Sequence, residues 1–363
     1  MTPSKTSSQQ PTPALLAEDA RVQIRGRAEN GTEHPDGMSG NRALPVGVQQ
    51  TEQLDIMVTV ACNARCAFCV QEATFKPSHT DDEAFLAALH RHLADFHAYG
   101  GRRVVVTGGE PLLVLPRLFA VLKELEPYAD LKVKALYTNG SRLLESLETS
   151  EGRTVAQKLA GAGLGCVNLS VHHDDEAVNR RIFVLPRRPS TAQIAAHLRD
   201  CGLPFRLNLT VQKGGIENPE ALARYVRWGF ALGAESIYVR ELFRYSSDSV
   251  TCISDRKPVE YSRANAVAAT DLLEGLLATG DYLLHGDRRE ALRMKREWEL
   301  EYQPAGRRVF LSSLEIGTEA AHGYPYLVLM PDGKLYRGWL GERHEIAGLR
   351  RGSEADGADG RSD

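Results

Sequence analysis

The stretch LDIMVTVACNARCAFC, residues 54–69, runs from an apolar segment straight into Cys62, Cys66 and Cys69 at the spacing C-x3-C-x2-C. The first seven residues predict a short buried strand, and the cysteines follow at its C-terminal end. Half of the chain's six cysteines are spent within eight residues. The other three, Cys166, Cys201 and Cys252, stand apart without paired spacing and read as free thiols.

Such crowding points to a metal. A cubane iron-sulfur cluster takes four thiolates, so three would leave one iron with an open position, as catalytic metal sites do. A structural zinc held by the same cysteines with His79 as fourth ligand is the alternative, although zinc modules usually pair C-x2-C units. A ferredoxin-type electron carrier would bring a fourth cysteine within its run.

Working outward, the pattern alternates. DDEAFLAALHRHLADFHAYGG repeats Phe85, Leu89, Leu93 and Phe96 at helical spacing before a Gly-Gly stop. RRVVVTGGEP is a buried strand breaking at glycines, LPRLFAVLKEL a helix, and LKVKALYTNG a strand ending in a turn. CVNLSV, PFRLNLTV and ESIYVREL continue the series, separated by helical stretches that include PEALARYVRWGFALG. Six strands interleaved with helices imply an α/β fold with a parallel sheet, an open or closed barrel, with polar motifs at the C-terminal strand ends.

Residues 1–48 are poor in aromatics and rich in Ser, Gln, Pro and Gly, and are expected to be a disordered leader; residues 350–363 read the same way. The barrel is expected over 49–245. Over 246–349 an α+β segment is expected to close its open side, with charged amphipathic helices at about 263–279 and 287–301. YLVLMPDGKLYRGW then predicts a hairpin turning at Pro331-Asp332-Gly333.

Hydrophobic residues at 42% and charged residues at 25% are ordinary globular usage. A net charge of -3 offers no general attraction for nucleic acid or anionic membrane, and no run approaches the roughly 18 apolar residues of a membrane span. The expectation is a cytoplasmic protein acting on a small molecule or peptide.

The cysteine triplet followed by Thr107-Gly108-Gly109-Glu110-Pro111 resembles the radical S-adenosylmethionine (SAM) superfamily, over about Leu54 to Phe243. The resemblance implies a partial (β/α)6 barrel and a [4Fe-4S] cluster on Cys62, Cys66 and Cys69. It implies SAM at the open iron, cleaved to a 5′-deoxyadenosyl radical with electrons from a flavodoxin or ferredoxin. By the same correspondence Gly108, Gly109 and Glu110 meet the SAM amino acid moiety, and Thr138, Asn139, Ser170 and Asn208 meet ribose and carboxylate. Phe68, Ile216 and Phe243 lie where the family contacts adenine.

The detailed pattern, down to LMPDGKLYRGWLGERHEIAGLR, is similar to the GTP cyclase-like branch of that superfamily. That branch carries a second cluster on C-terminal cysteines, and this chain has none after Cys252. Asp55 and Val105 stand where the cyclases have arginine, and a carboxylate repels a triphosphate. Arg206 replaces a cyclase lysine in kind, and Arg240 ends the sixth strand beside Glu241, so both are candidates for substrate contact. Cys252 is a candidate hydrogen donor for an epimerisation. SVHHDDEAVNRR, with His172 and His173, either shapes the substrate mouth or begins a helix.

Overall fold

The computed structural model describes residues 53–73, 78–131, 133–148, 152–185, 187–245, 253–285, 295–316, 326–338 and 345–346. The expected leader, the tail and Cys252 lie outside them.

Six strands pair in parallel and in chain order: β1 (Gln53–Met57), β2 (Arg103–Thr107), β3 (Val133–Thr138), β4 (Cys166–Ser170), β5 (Phe205–Val211) and β6 (Ser236–Glu241). Between them lie α1 (Val70–Ala73), α2 (Asp82–Ala98), α3 (Leu115–Glu124), α4 (Val155–Gly161), α5 (Glu176–Phe183), α6 (Thr191–Asp200) and α7 (Pro219–Ala231). Side chains written into the sequence start the helices. Asp81 accepts from Ala84 N, Asn218 from Ala221 N ahead of Pro219, and Thr154 and Ser190 each form a capping box with a glutamine.

The strand period of two sorts residues onto two faces. Leu54, Ile56, Val104, Val106, Leu136, Val167, Leu169, Leu207, Leu209, Ile237 and Val239 pack with the helices in one core. Along β5 these buried positions alternate with the half-buried Arg206, Asn208 and Thr210, which occupy the opposite face. That face is concave. Arg240 of β6 donates from Nη2 to the Tyr137 hydroxyl of β3 at 2.5 Å across two intervening strands, a contact that curvature brings within reach.

Beyond β6 the chain forms β7 (Arg244–Tyr245), α8 (Lys257–Asn265), α9 (Ala269–Ala278), β8 (Tyr282–His285), β9 (Lys295–Tyr302), β10 (Arg307–Ile316), β11 (Tyr326–Leu329), β12 (Leu335–Arg337) and β13 (Glu345–Ile346). The parallel array is wider than the six expected strands: β10 adds in parallel to β6 and β11 to β1. Antiparallel strands then extend both edges, β9 and β8 beyond β10, β12 and β13 beyond β11. The predicted hairpin is β11–β12, with Gly333 in the left-handed region at φ 77° and its N–H donating to Met330 O at 2.9 Å.

Two expectations are corrected here. The helix expected at about 263–279 is two helices, α8 and α9, separated at Ala266-Val267-Ala268. The helix expected at about 287–301 is a strand where described: Lys295–Tyr302 is β9. In WELEY, Trp298, Leu300 and Tyr302 are buried while Glu299 and Glu301 take the other face beside Arg308, at 3.3 Å and 3.1 Å. This is period two, and the density of charge disguised it as a polar helix. Among the described residues no helix is long and apolar enough to cross a membrane.

Candidate functional site

The cysteine loop leaves β1 and leans on the end of β2. Gly109 N donates to Thr59 O at 2.8 Å and Glu110 N to Ala61 O at 2.8 Å. A Cβ on Gly109 would stand 2.1 Å from Ala61 O, and one on Gly108, at φ 151°, 2.5 Å from Thr59 O. The close approach that demands two glycines is therefore to the backbone feeding Cys62.

Two further ties hold the loop over the strand ends. Asn139, after β3, donates from Nδ2 to Asn63 Oδ1 at 2.8 Å, and Asn63 donates to Ser141 Oγ at 2.9 Å. Arg65 N donates to Phe183 O at 2.9 Å, and the Cys66 Sγ lies 4.0 Å from the same carbonyl. Phe68 meets His172 edge-on at 5.1 Å and faces Tyr261 of α8 at 6.5 Å. His172 is buried and its Nδ1 accepts from Thr210 N at 3.1 Å; burial first, then the charge of Arg188, lowers its pKa to about 3. It is a neutral ring that packs.

Glu110 is buried, and its carboxylate is fully engaged. Oε1 accepts from Leu112 N at 3.0 Å and Thr138 Oγ1 at 2.6 Å, and Oε2 from Asn139 N at 2.7 Å. Burial pushes its pKa up while the three donors and Arg142 pull it back. Thr138, which also accepts from Gly140 N at 2.9 Å, and Asn139 are thereby fixed as a rigid turn. Arg188, also buried, donates from Nε to Asn139 O at 2.7 Å. Among the described residues, the atoms buried without a hydrogen-bond partner near these strand ends include Nη2 of Arg188 and Oδ1 of Asn208.

Ser170 closes β4 half-buried and in register with Asn208. Ile216 is fully buried in the main core. Phe243 packs with Tyr245, Val259, Val70 and Ile253 in a separate small cluster. Asn63, Arg188, Tyr245 and Tyr261 carry no roles in the sequence reading, because their importance comes from distant partners, and His172, read there as shaping the mouth or beginning a helix, instead packs against Phe68.

Below the loop, the concave face mixes polar side chains with a small apolar cluster of Val105, Ala135, Cys166 and Tyr137. Tyr238 stacks on Phe310 at 4.7 Å, and Arg240 reaches Tyr137. Arg206 is under the influence of Cys166, Tyr238 and Glu235, whose fields raise its pKa against its burial. Burial pushes the Cys166 thiol up to about 11. Asp55 and Val105 are direct register partners on β1 and β2, and the Asp55 carboxylate accepts from Gln53 Nε2 at 2.7 Å.

The thiols lie close enough to feel one another. Cys62 stands at an exposed position of the loop, where partial desolvation, with Glu110 and Cys69 adding to the rise, pushes its thiol up to about 11; Cys66 is raised by burial and by both other cysteines. Three sulfurs that repel as anions, beside a buried carboxylate, suit a cationic iron centre. Among the described residues no three His, Cys, Asp or Glu side chains converge to grip one ion. His79 instead accepts from Val60 N at 3.3 Å.

Comparison with known proteins matches residues 56–228 to the Radical SAM superfamily. GTP 3′,8-cyclase 2 of Pseudomonas aeruginosa is 29% identical over 237 residues, 61% of this chain and 66% of that protein. The probable GTP 3′,8-cyclase of Thermococcus kodakarensis is 32% identical over 169 residues, 44% of this chain and 48% of that protein. The chain thus matches between about half and just under two thirds of the length of these curated relatives. The structure of Streptococcus suis SuiB bound to the precursor peptide SuiA superposes with a TM-score of 0.52 at 16% identity, covering 79% of this chain and 59% of that one. At that identity the likeness concerns the fold.

Proposed function

We propose, from the premise that residues 56–228 are a radical SAM domain close to the GTP cyclase-like branch, that this chain is an enzyme abstracting hydrogen from a small-molecule or peptide substrate. The observation that carries the reading is the cysteine loop itself: three thiols anchored by the glycine pair and by Asn139 over the strand ends. Cys62, Cys66 and Cys69 would hold a [4Fe-4S] cluster, and SAM would lie across the ends of the neighbouring strands. Bound together, the two cofactors supply abstraction of hydrogen from an unactivated C–H bond.

The chain's own residues bind and orient. Phe68, held between His172 and Tyr261, offers an aromatic surface beside the cysteines, with Phe243 and the backbone around Ile216 as further apolar support. Glu110 acts through Thr138 and Asn139, locking the turn whose Asn139 side chain steadies the loop. The buried donor of Arg188 and acceptor of Asn208, unpartnered among the described residues, suit a zwitterionic ligand carrying carboxylate and ammonium. Ser170, in register with Asn208, and Gly108-Gly109 complete the polar rim. Residues 49–245 would form the catalytic core and 246–349 the segment covering its flanks.

The substrate would differ from the nucleoside triphosphate named in the relatives. The register neighbours Asp55 and Val105 support this: by the resemblance they stand where the cyclases have arginine, and a carboxylate there repels a triphosphate. Arg206 and Arg240 remain to orient a substrate from the other side, and a low-potential reductant would deliver the electron. Anaerobic reconstitution tests the reading. Four iron and four sulfide per chain with dithionite-dependent release of 5′-deoxyadenosine support it; tightly bound zinc without SAM cleavage would overturn it.

A further inference from the structure

Tyr245 lies beyond the six-stranded core, on β7, where it pairs in register with Ile316 of β10. Its ring packs with Val259 of α8 and with Val70, Phe243 and Ile253, in a cluster separate from the main core. Val70 directly follows Cys69, and α1, which it begins, packs on α8. Tyr245 thus packs on the residue that directly follows the third cysteine.

The ring is 8% exposed, and among the described residues its hydroxyl is buried without a hydrogen-bond partner. A phenylalanine would fill the same apolar cluster without desolvating an unsatisfied hydroxyl, so the oxygen is a cost that packing does not explain. The hydroxyl also feels charge on Cys69, which after burial is the other cause of its raised pKa. Tyr261 offers the contrast. It stands in the field of Cys66 in the same way, but its hydroxyl already donates to Gln212 Oε1 at 2.7 Å.

Resting on the cluster reading above, we propose that the Tyr245 hydroxyl donates a hydrogen bond to the Cys69 sulfur once that sulfur is an iron-bound thiolate, making Tyr245 a positioning residue that raises the cluster's reduction potential. A donor to a ligand sulfur draws off negative charge and favours the reduced state; partners of this kind orient metal ligands and tune iron-sulfur potentials. Such a bond would satisfy the buried hydroxyl.

The test compares reconstituted full-length protein with Tyr245→Phe, without SAM, by redox titration of the reduced-cluster EPR signal. The expected result is equal iron and sulfide content with a potential more negative in the variant, of the order of a tenfold change in the reduced-to-oxidised ratio, about 59 mV for one electron. The unaltered protein gives a second readout by electron-nuclear double resonance, independent of whether the variant folds: an exchangeable proton coupled to the cluster and lost in deuterium oxide. An unchanged potential in a loaded variant, or no exchangeable coupling in the unaltered protein, overturns the hydrogen bond alone. Failure of the unaltered protein to take up iron and sulfide overturns the cluster reading and this inference with it.

Discussion

The side-chain amide of Asn139 donates to Asn63 Oδ1 at 2.8 Å, joining positions 76 residues apart. Asn63 follows the first cysteine and Asn139 follows the third strand, so one hydrogen bond ties the metal loop to the turn that Glu110 rigidifies from below. The loop inherits its position from the sheet through this contact and through the glycine pair.

Asn63→Ala should therefore loosen the loop more than the fold. Asn63 is exposed, so the melting temperature should fall little, while Asn139 loses its acceptor. A lost hydrogen bond of about 1 kcal/mol would speed iron loss to a chelator several-fold. Chelator-driven bleaching beside a thermal melt checks this, and equal bleaching rates would refute it.

Gly109→Ala should be far more damaging than its chemistry suggests. The added methyl would sit 2.1 Å from Ala61 O, a backbone atom that moves only if the approach to Cys62 moves. Destabilisation of about 1–3 kcal/mol and loss of cluster uptake are expected. Gly161→Ala is the control, because it lies in a helix with nothing within 4 Å, and it should be neutral or slightly stabilising. Iron content and denaturant midpoints of the two variants separate the outcomes.

Acid should weaken the metal-free protein through His172. Its folded pKa, about 3, lies below the ordinary value of 6.5, so the unfolded chain takes up the proton first. Stability is full above pH 6.5 and is lost as pH falls from 6.5 toward 3, by at most about 5 kcal/mol for this group. His172→Gln should flatten that slope, measured as denaturation free energy at pH 7.5 and pH 5. An identical slope in the variant would count against the neutral, buried ring.

Trp298→Ala should cost about 3–5 kcal/mol, since the indole is buried in the main core. Glu299→Ala, one residue on and paired with the part-exposed Arg308, should cost less than about 1 kcal/mol. Urea titrations of both variants report the alternation of β9 directly. Similar losses at both positions would argue against the strand.

The sequence by itself determined the alternation of strands and helices, the helix caps, the hairpin at Gly333 and the cysteine spacing. Each depends on residues a few positions apart, where periodicity and backbone preference act. It misled at β9, where glutamates on the open face masked the period of two.

Tertiary structure alone decided the rest. It brought β10 and β11 onto the two edges of the six-stranded sheet, and it brought Tyr245, Tyr261, Arg188 and His172 around the loop. It also revealed that Gly108 and Gly109 make room for the chain's own backbone and that Glu110 serves a turn. Such contacts arise from register and curvature, which set distance between residues that sequence separation leaves unrelated.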